Sequence, residues 1–332
     1  MIVFSFLKNF VMYKNTKIVG IDISKDVLDC YSEEEGHFQL SNSLKGFKTL
    51  IKTYGKESHY VMESTGYYHV QLALFLSGES ILVSVENALV IKRFIQMRLS
   101  KVKTDKSDCK QIYEYGLSQD LKLWTAPSTF QMESESLLSL LKFYDKQMVS
   151  IKTKIKGECS MGSPNKKVLE SLKKTLKRYE SEVGRLETEL ESKVSEMYGE
   201  ELTLARSIPG IGVKTSLFLV IFTEGMRKFE SSGQLCSYVG LTPVIRESGK
   251  SVRSRPRISK IGNGKLRRQL FMCSFNAMKY NVECKALYTR ITSKGKSGKL
   301  ALIAVCNKLL RQVFGVLKSG KKYQAHYLQN RA

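Results

Sequence analysis

Four carboxylates and a run of serines in a basic stretch are the residues whose types and spacing could do chemistry in this chain. Asp22 closes the apolar run of VGIDIS and Glu63 closes that of YVMES. Both therefore belong at the ends of buried strands, where carboxylates from separate segments can converge. Asp105 and Asp108 lie three apart in KTDKSDCKQI, which puts both on one helix face with one of them near the positive N-terminus. Two like charges there repel unless a cation sits between them. Mg²⁺ takes carboxylate oxygens and retained waters in an octahedral shell. Two such ions, or Mn²⁺ in their place, can stabilise both the attacking and the leaving oxygen of phosphoryl transfer. Singly, each acid has a structural reading: Asp22 ends a strand, Glu63 begins the STG turn, Asp105 caps a helix and Asp108 sits in its first turn. Jointly, four acids from three segments suit a metal site.

The second chemical feature is Ser248, in GLTPVIRESGKSVRSRPRISKIGNGKLRR. Residues 248–268 carry eight cations, Lys250, Arg253, Arg255, Arg257, Lys260, Lys265, Arg267 and Arg268, and no acid. A serine hydroxyl is a weak nucleophile at its ordinary pKa. Attack on a phosphodiester needs a metal, a base or clustered guanidiniums. Ser251, Ser254 and Ser259 share the same surroundings, and chemistry alone does not choose among the four.

The elements that must position these groups follow from periodicity. KIVGIDI, VLDCY and HFQLS read as three short strands joined by the turns SKD and EEEG. A helix over 44–52, the strand HYVME, a helix over 67–76, the strand ILVSVE and another helix follow. Three antiparallel strands followed by alternating α and β elements resemble the ribonuclease-H-like layout. From Gln131 the apolar residues Leu137, Leu141, Tyr144, Met148, Ile151 and Ile155 step by four and three, which predicts a long helix. After a loop over 157–165, Leu169, Leu172, Leu176, Tyr179, Val183, Leu186, Leu190, Val194 and Met197 keep nearly the same spacing. Two long helices are expected, antiparallel within the chain or paired between chains as a coiled coil. A third region opens with SIPGIGVKTS, where Gly210 and Gly212 between apolar residues suit a helix-hairpin-helix turn with backbone N–H groups open to a phosphate. The expected division is an α/β domain over 1–128, a coiled-coil connector over 129–200, and a basic, mostly helical domain over 201–332.

The formal charge of +23 favours a polyanionic partner, because each phosphate neutralised by Lys or Arg releases condensed counterions. From Ser248 to Ala332, 20 Lys and Arg face a single acid, Glu283, so 19 of the net 23 positive charges fall there. A uniformly solvated surface would not show that skew. The seven cysteines form no CxxC pair, and the four histidines show no metal-ligand spacing. Zinc and a disulfide framework are disfavoured and a reducing cytoplasm is expected. The apolar opening Met1–Val11 is interrupted by Lys8 and is too short to span a membrane; it reads as an extension before Met12, and no membrane partner is expected.

At GIDISKDVLD, ESTGYY, the KTDKSD pair, SIPGIGVKTS, the SYVGLTP…ESGKSVR…RISKIGNGKLRR block and GVLKSG, the sequence resembles the RuvC-like DEDD transposases of bacterial insertion sequences. This group is related to the Piv DNA invertase and typified by the one-ten insertion-sequence family, and the resemblance spans roughly Lys17 to Gly320. It implies a RuvC-like fold with Asp22, Glu63, Asp105 and Asp108 as metal ligands. It also implies that Ser248, in ESG, is the nucleophile that forms a phosphoserine link with DNA, which settles the choice among the serines. The implied partners are donor and target DNA, a structured noncoding bridge RNA and further copies of the chain, as a dimer or tetramer that completes the active site across protomers. Ser254 departs from the glycine common after VR in this block. Two other function classes stay open: a RuvC-like structure-selective nuclease that uses water as nucleophile, and a non-catalytic nucleic-acid-binding protein.

Overall fold

The computed structural model describes residues 16–64, 66–98, 104–244, 247–248, 252–253 and 257–325, with the side chains at 105, 247, 248, 252 and 253 excepted. The chain divides into two compact units, Met1–Pro127 and Ser128–Ala332.

The first unit is built on β1 (Ile18–Ile23), β2 (Val27–Ser32), β3 (Gly36–Ser41), α1 (Leu44–Tyr54), β4 (His59–Glu63), α2 (Val70–Gly78), β5 (Val83–Glu86), α3 (Ala88–Met97) and α4 (Asp105–Ser118). The strands form one sheet in the order β3-β2-β1-β4-β5. β1, β2 and β3 make the expected antiparallel meander, and β4 runs parallel to β1 and β5. β1 is apolar on both faces, as a strand covered on both sides must be. Val19, Ile21 and Ile23 turn to one side, where they meet Phe47, Leu50 and Tyr54 of α1 and Leu72 and Leu76 of α2. Ile18 turns to the other, where it joins Val61 of β4, Ile91 and Phe94 of α3, and Ile112, Tyr113 and Tyr115 of α4.

The second unit begins with α5 (Thr129–Ser160) and α6 (Lys166–Arg206), joined over 161–165. The two helices pair antiparallel with each other. Leu138 and Leu141 are buried with Val183, Leu186, Leu190 and Val194, the Tyr144 and Tyr179 rings lie 5.2 Å apart, and Lys193 bonds Glu133. Of the two pairings that the seam allows, the structure shows the one within the chain. Gly157 lies inside α5, not in the loop where it was expected. The stop comes at Gly162, whose φ of 78° only glycine adopts cheaply.

Beyond the hairpin come α7 (Val213–Thr223), α8 (Ser232–Val239), β6 (Pro243–Val244), β7 (Glu247–Ser248), β8 (Val252–Arg253), β9 (Arg257–Ile258), α9 (Gly264–Tyr280), α10 (Val282–Thr292) and α11 (Gly298–Ser319). α7 is buried from Thr215 to Thr223, which suits the unbroken apolar run Leu217–Phe222 within it. α11 alone among the described helices is long and apolar enough to cross a membrane. Its Val305, Leu309 and Val313 are buried in the core that it shares with α6 to α9. Around Ser248 the structure has a small β ribbon, in which β6 pairs β9 and β7 pairs β8, both antiparallel.

Candidate active site

In the first unit the site is made by how closely α4 approaches β1. A Cβ at Gly20 would lie 2.3 Å from the Tyr113 backbone N and 2.4 Å from the Cys109 carbonyl O, and one at Gly116 would lie 2.7 Å from Ile18 Cγ2. These two glycines let α4 lie directly on the strand, running opposite to it: Gly116 sits over Ile18, and Cys109 and Tyr113 sit over Gly20. The first turn of α4 is thereby carried to the Asp22 end of β1. That turn is capped by Thr104, not by Asp105. Thr104 Oγ1 accepts from the Ser107 N–H (3.2 Å) and Ser107 Oγ accepts from the Thr104 N–H (2.9 Å). Helix capping therefore needs neither aspartate. Asp108, half-buried in the first turn, gains from the helix dipole; the Asp105 side chain lies outside the described residues.

Strand register then aligns carboxylates across the sheet. Asp22 stands opposite Asp29 of β2. One step beyond the pair Ile21 and Met62, Asp22 is level with Glu63, and Glu63 is opposite Glu86 of β5. Because β1 alternates faces, Asp22 shares the α4 side with Ile18 and Gly20. Four acids from four neighbouring strands thus form a row across the α4 side of the sheet. At the outer ends of the row, His37 Nε2 lies 2.9 Å from Asp29 Oδ1, and Tyr115 donates its hydroxyl to Glu86 Oε2 at 3.3 Å. Sequence reasoning picked out Asp22, Glu63 and Asp108 but missed Asp29 and Glu86. Register, which no spacing in the sequence reveals, is what brings these two in.

Electrostatics ties the inner acids together. Burial pushes the Glu63 carboxyl above its ordinary value, and the negative charges of Asp22 and Asp108 push it further. Burial, then the negative charge of Asp29 and, less, that of Asp22, raises the Cys109 thiol to about 12. Among the described residues no three Asp, Glu, His or Cys side chains form a ready-made ligand cluster. What the donor set does offer is all-oxygen chemistry: half-buried carboxylates that repel one another, a pattern that a divalent cation relieves.

In the second unit, Ser248 lies in β7 with Val252 as its register partner in β8. The Ser248 and Arg253 side chains, and Lys250 and Arg255 entirely, lie outside the described residues. Arg257 and Lys260 are exposed. Arg267 donates from Nη1 to the Val239 carbonyl at 2.6 Å, which satisfies the C-terminal end of α8. Gly210 (φ 105°) backs onto α9, where a Cβ would lie 2.7 Å from Ala277 Cβ. Gly212 starts α7 with no side-chain cap. Lys265 and Arg268 line a cleft of about 310 Å³ together with Lys142 and Lys146 of α5. Sequence reasoning gave those two lysines no role.

Comparison with known proteins fits this arrangement. A DEDD transposase profile, described as "Transposase", matches residues 19–158, and one described as "Transposase IS116/IS110/IS902 family" matches residues 202–289. Together they define a transposase, a DNA-processing enzyme of insertion sequences. The chain belongs to the IS110 family of these transposases. Among its relatives is the pilin gene-inverting protein of Moraxella bovis, 26% identical over 92% of this chain and 97% of that protein. Another is the transposase for insertion sequence element IS1111A of Coxiella burnetii, 22% identical over 94% of this chain and 92% of that protein. An uncharacterized protein of insertion element IS110 from Streptomyces coelicolor is 29% identical over 36% of this chain and 29% of its own length.

Proposed function

We propose that the chain is a DNA transposase and site-specific recombinase that cuts and rejoins strands through a covalent phosphoserine intermediate. Asp22, Glu63, Asp105 and Asp108 hold the metal, two Mg²⁺ ions or Mn²⁺ in their place. The observation that carries this reading is the alignment of Asp22 with Glu63 under α4, with Asp108 near enough to raise Glu63. When bound, the metal stabilises charge on the attacking and leaving oxygens. The Ser248 hydroxyl loses its proton as its Oγ forms a bond to phosphorus. The bond from phosphorus to a deoxyribose oxygen breaks, and that oxygen takes up a proton. Rejoining reverses the sequence: a deoxyribose hydroxyl attacks the phosphoserine and the serine regains its proton. Because the phosphoester is conserved in the protein link, no external energy source is required.

On this reading, residues 1–128 are a RuvC-like, ribonuclease-H-like metal domain, supported by the antiparallel meander followed by parallel β4 and β5. Residues 129–200 are a coiled-coil connector and assembly element, and residues 201–332 a basic domain that carries the nucleophile. Lys250, Arg253, Arg255, Arg257, Lys260, Lys265, Arg267 and Arg268 hold nucleic-acid phosphates, helped by the uncapped α7 start that Gly210 and Gly212 open. Donor and target DNA are the substrates, with a structured bridge RNA encoded beside the gene as guide. The working form is a homo-oligomer, a dimer or tetramer, acting on DNA in the bacterial cytoplasm. The relative named for inverting a pilin gene supports site-specific recombination.

Replacing Ser248 by Ala tests the nucleophile. Covalent protein–DNA adducts and recombinant products are expected to vanish while metal-dependent hydrolysis survives. Recombination that persists in Ser248→Ala shows the serine assignment to be wrong and favours water as nucleophile.

A further inference from the structure

The cleft of about 310 Å³ in the second unit lies between α5 and α9, with Phe218 of α7 on its wall. Lys142 and Lys146 are four apart on α5, and Lys265 and Arg268 are three apart at the start of α9. Each pair is a like-charge neighbour on one helix face, an arrangement that destabilises a helix by a few tenths of a kcal/mol unless an anion intervenes. α5 and α9 both pack on α7 and face one cleft, which brings the two pairs together, so the repulsion is compounded. Among the described residues none of the four forms a salt bridge. The acid in the cleft does not neutralise them, because Asp145 is held by Lys214 Nζ at 2.7 Å, a lysine that also reaches Glu187 at 3.4 Å. Burial, followed by the charges of Arg268, Lys265 and Lys146, pulls the Lys142 ammonium below its ordinary value. Four convergent cations with no resident anion make a seat for one.

We propose that Lys142 and Lys146 of α5, with Lys265 and Arg268 of α9, form a seat for DNA backbone phosphates. α9 starts six residues after β9, the last strand of the ribbon that carries Ser248, so a strand held at the ribbon lies close along the chain to this cleft. That chain order favours DNA over RNA as the occupant. The inference rests on the reading of the chain as a DNA recombinase. It gives the helical hairpin, and not only the basic C-terminal region, a grip on the substrate. The grip is on phosphate, so it is independent of sequence.

The test compares full-length wild type with Lys142→Gln/Lys146→Gln, with the charge-preserving Lys142→Arg/Lys146→Arg, and with Lys173→Gln/Lys174→Gln, which removes two exposed lysines of α6. Each is titrated with a DNA duplex of arbitrary sequence and, in parallel, with an RNA hairpin, across a range of salt. The glutamine pair at 142 and 146 is expected to weaken duplex binding and to lower the slope of log affinity against log salt by about 0.9 for each phosphate that is no longer neutralised. The arginine pair should keep the slope, and thermal stability should not fall. A slope no lower than that of Lys173→Gln/Lys174→Gln, or a weakening confined to the RNA hairpin, overturns the proposal. If duplex binding is unaffected while DNA still becomes linked to Ser248, the cleft assignment fails and the recombinase reading stands. If the wild type neither binds duplex nor forms adducts, the recombinase reading fails and the cleft assignment with it.

Discussion

Glu63 is the residue in which the conflict between stability and function is sharpest. Its carboxyl is raised by burial and by Asp22 and Asp108, so its ionised form is disfavoured in the folded protein. A carboxyl raised in this way contributes stability below the ordinary carboxylate range and loses it as pH rises through the folded value. At neutral pH without metal, the charged site therefore works against the fold. Glu63→Gln is expected to raise the melting temperature in EDTA and to abolish the further rise that Mg²⁺ gives the wild type, because binding to the folded state alone stabilises it. Differential scanning fluorimetry with and without Mg²⁺ reads both; an unchanged Mg²⁺ shift in Glu63→Gln would remove this residue from the ligand set. His59 carries the opposite sign. Burial lowers its pKa to about 4, with its Nε2 2.8 Å from Ser84 Oγ. The unfolded chain binds that proton near pH 6.5 and the folded one does not, so stability falls as pH drops from about 6.5 toward 4, by roughly 3 kcal/mol in the limit. Urea unfolding at pH 7 and pH 4.5 should show a smaller acid loss in His59→Gln than in the wild type.

At the scale of elements, the contact of α4 with β1 decides where the acids sit. Gly20→Ala places a Cβ against the backbone of α4 at Cys109 and Tyr113, where neither partner can yield cheaply. The expected cost is about 2 kcal/mol in urea unfolding, within the range for overpacking. Activity should fall by more than the stability loss explains, since Asp108 moves away from Asp22 and Glu63. The helical hairpin supports a second prediction. Leu169, Leu172 and Leu176 sit toward its free end and are only half-buried. Leu172→Asp/Leu176→Asp is expected to shift the sedimentation coefficient toward the monomer while helicity by circular dichroism is kept. How much of this was legible differs between the two elements. The strand ends at Asp22 and Glu63 could be read because an apolar run followed by an acid marks them, and the seam of α5 and α6 because its spacing is helical. The α4 contact could not, since it rests on two glycines 96 positions apart, either of which reads locally as an ordinary small residue. The seam also says nothing of its partner: stepping by three and four suits a hairpin and an intermolecular pair equally.

At the scale of the whole molecule, net charge and register act at different distances. Most of the excess positive charge lies in 248–332, and it sets the long-range attraction for DNA. Non-specific duplex affinity is expected to fall about a thousandfold or more between 50 mM and 200 mM salt, as it does for proteins that neutralise six or more phosphates. Fluorescence anisotropy over that range checks it. This part was legible from composition alone. The row of Asp29, Asp22, Glu63 and Glu86 was legible only in its inner half, because cross-strand partners are chosen by folding, not by spacing. Ser248 stood out among its neighbours through resemblance to a family and not through local chemistry. Its hairpin, β7 with β8, was hidden by Gly249 and the basic residues that make the segment read as a loop. The claim that depends most on Ser248 is also the one most directly measured. Incubated with a DNA substrate in Mg²⁺, denatured, nuclease-trimmed and analysed by mass spectrometry, the protein is predicted to carry a nucleotide-bearing phosphate on Ser248. That mark should be absent in Ser248→Ala and in Asp22→Asn. Recombined DNA formed with no adduct, or with one on Ser251, Ser254 or Ser259, would contradict it.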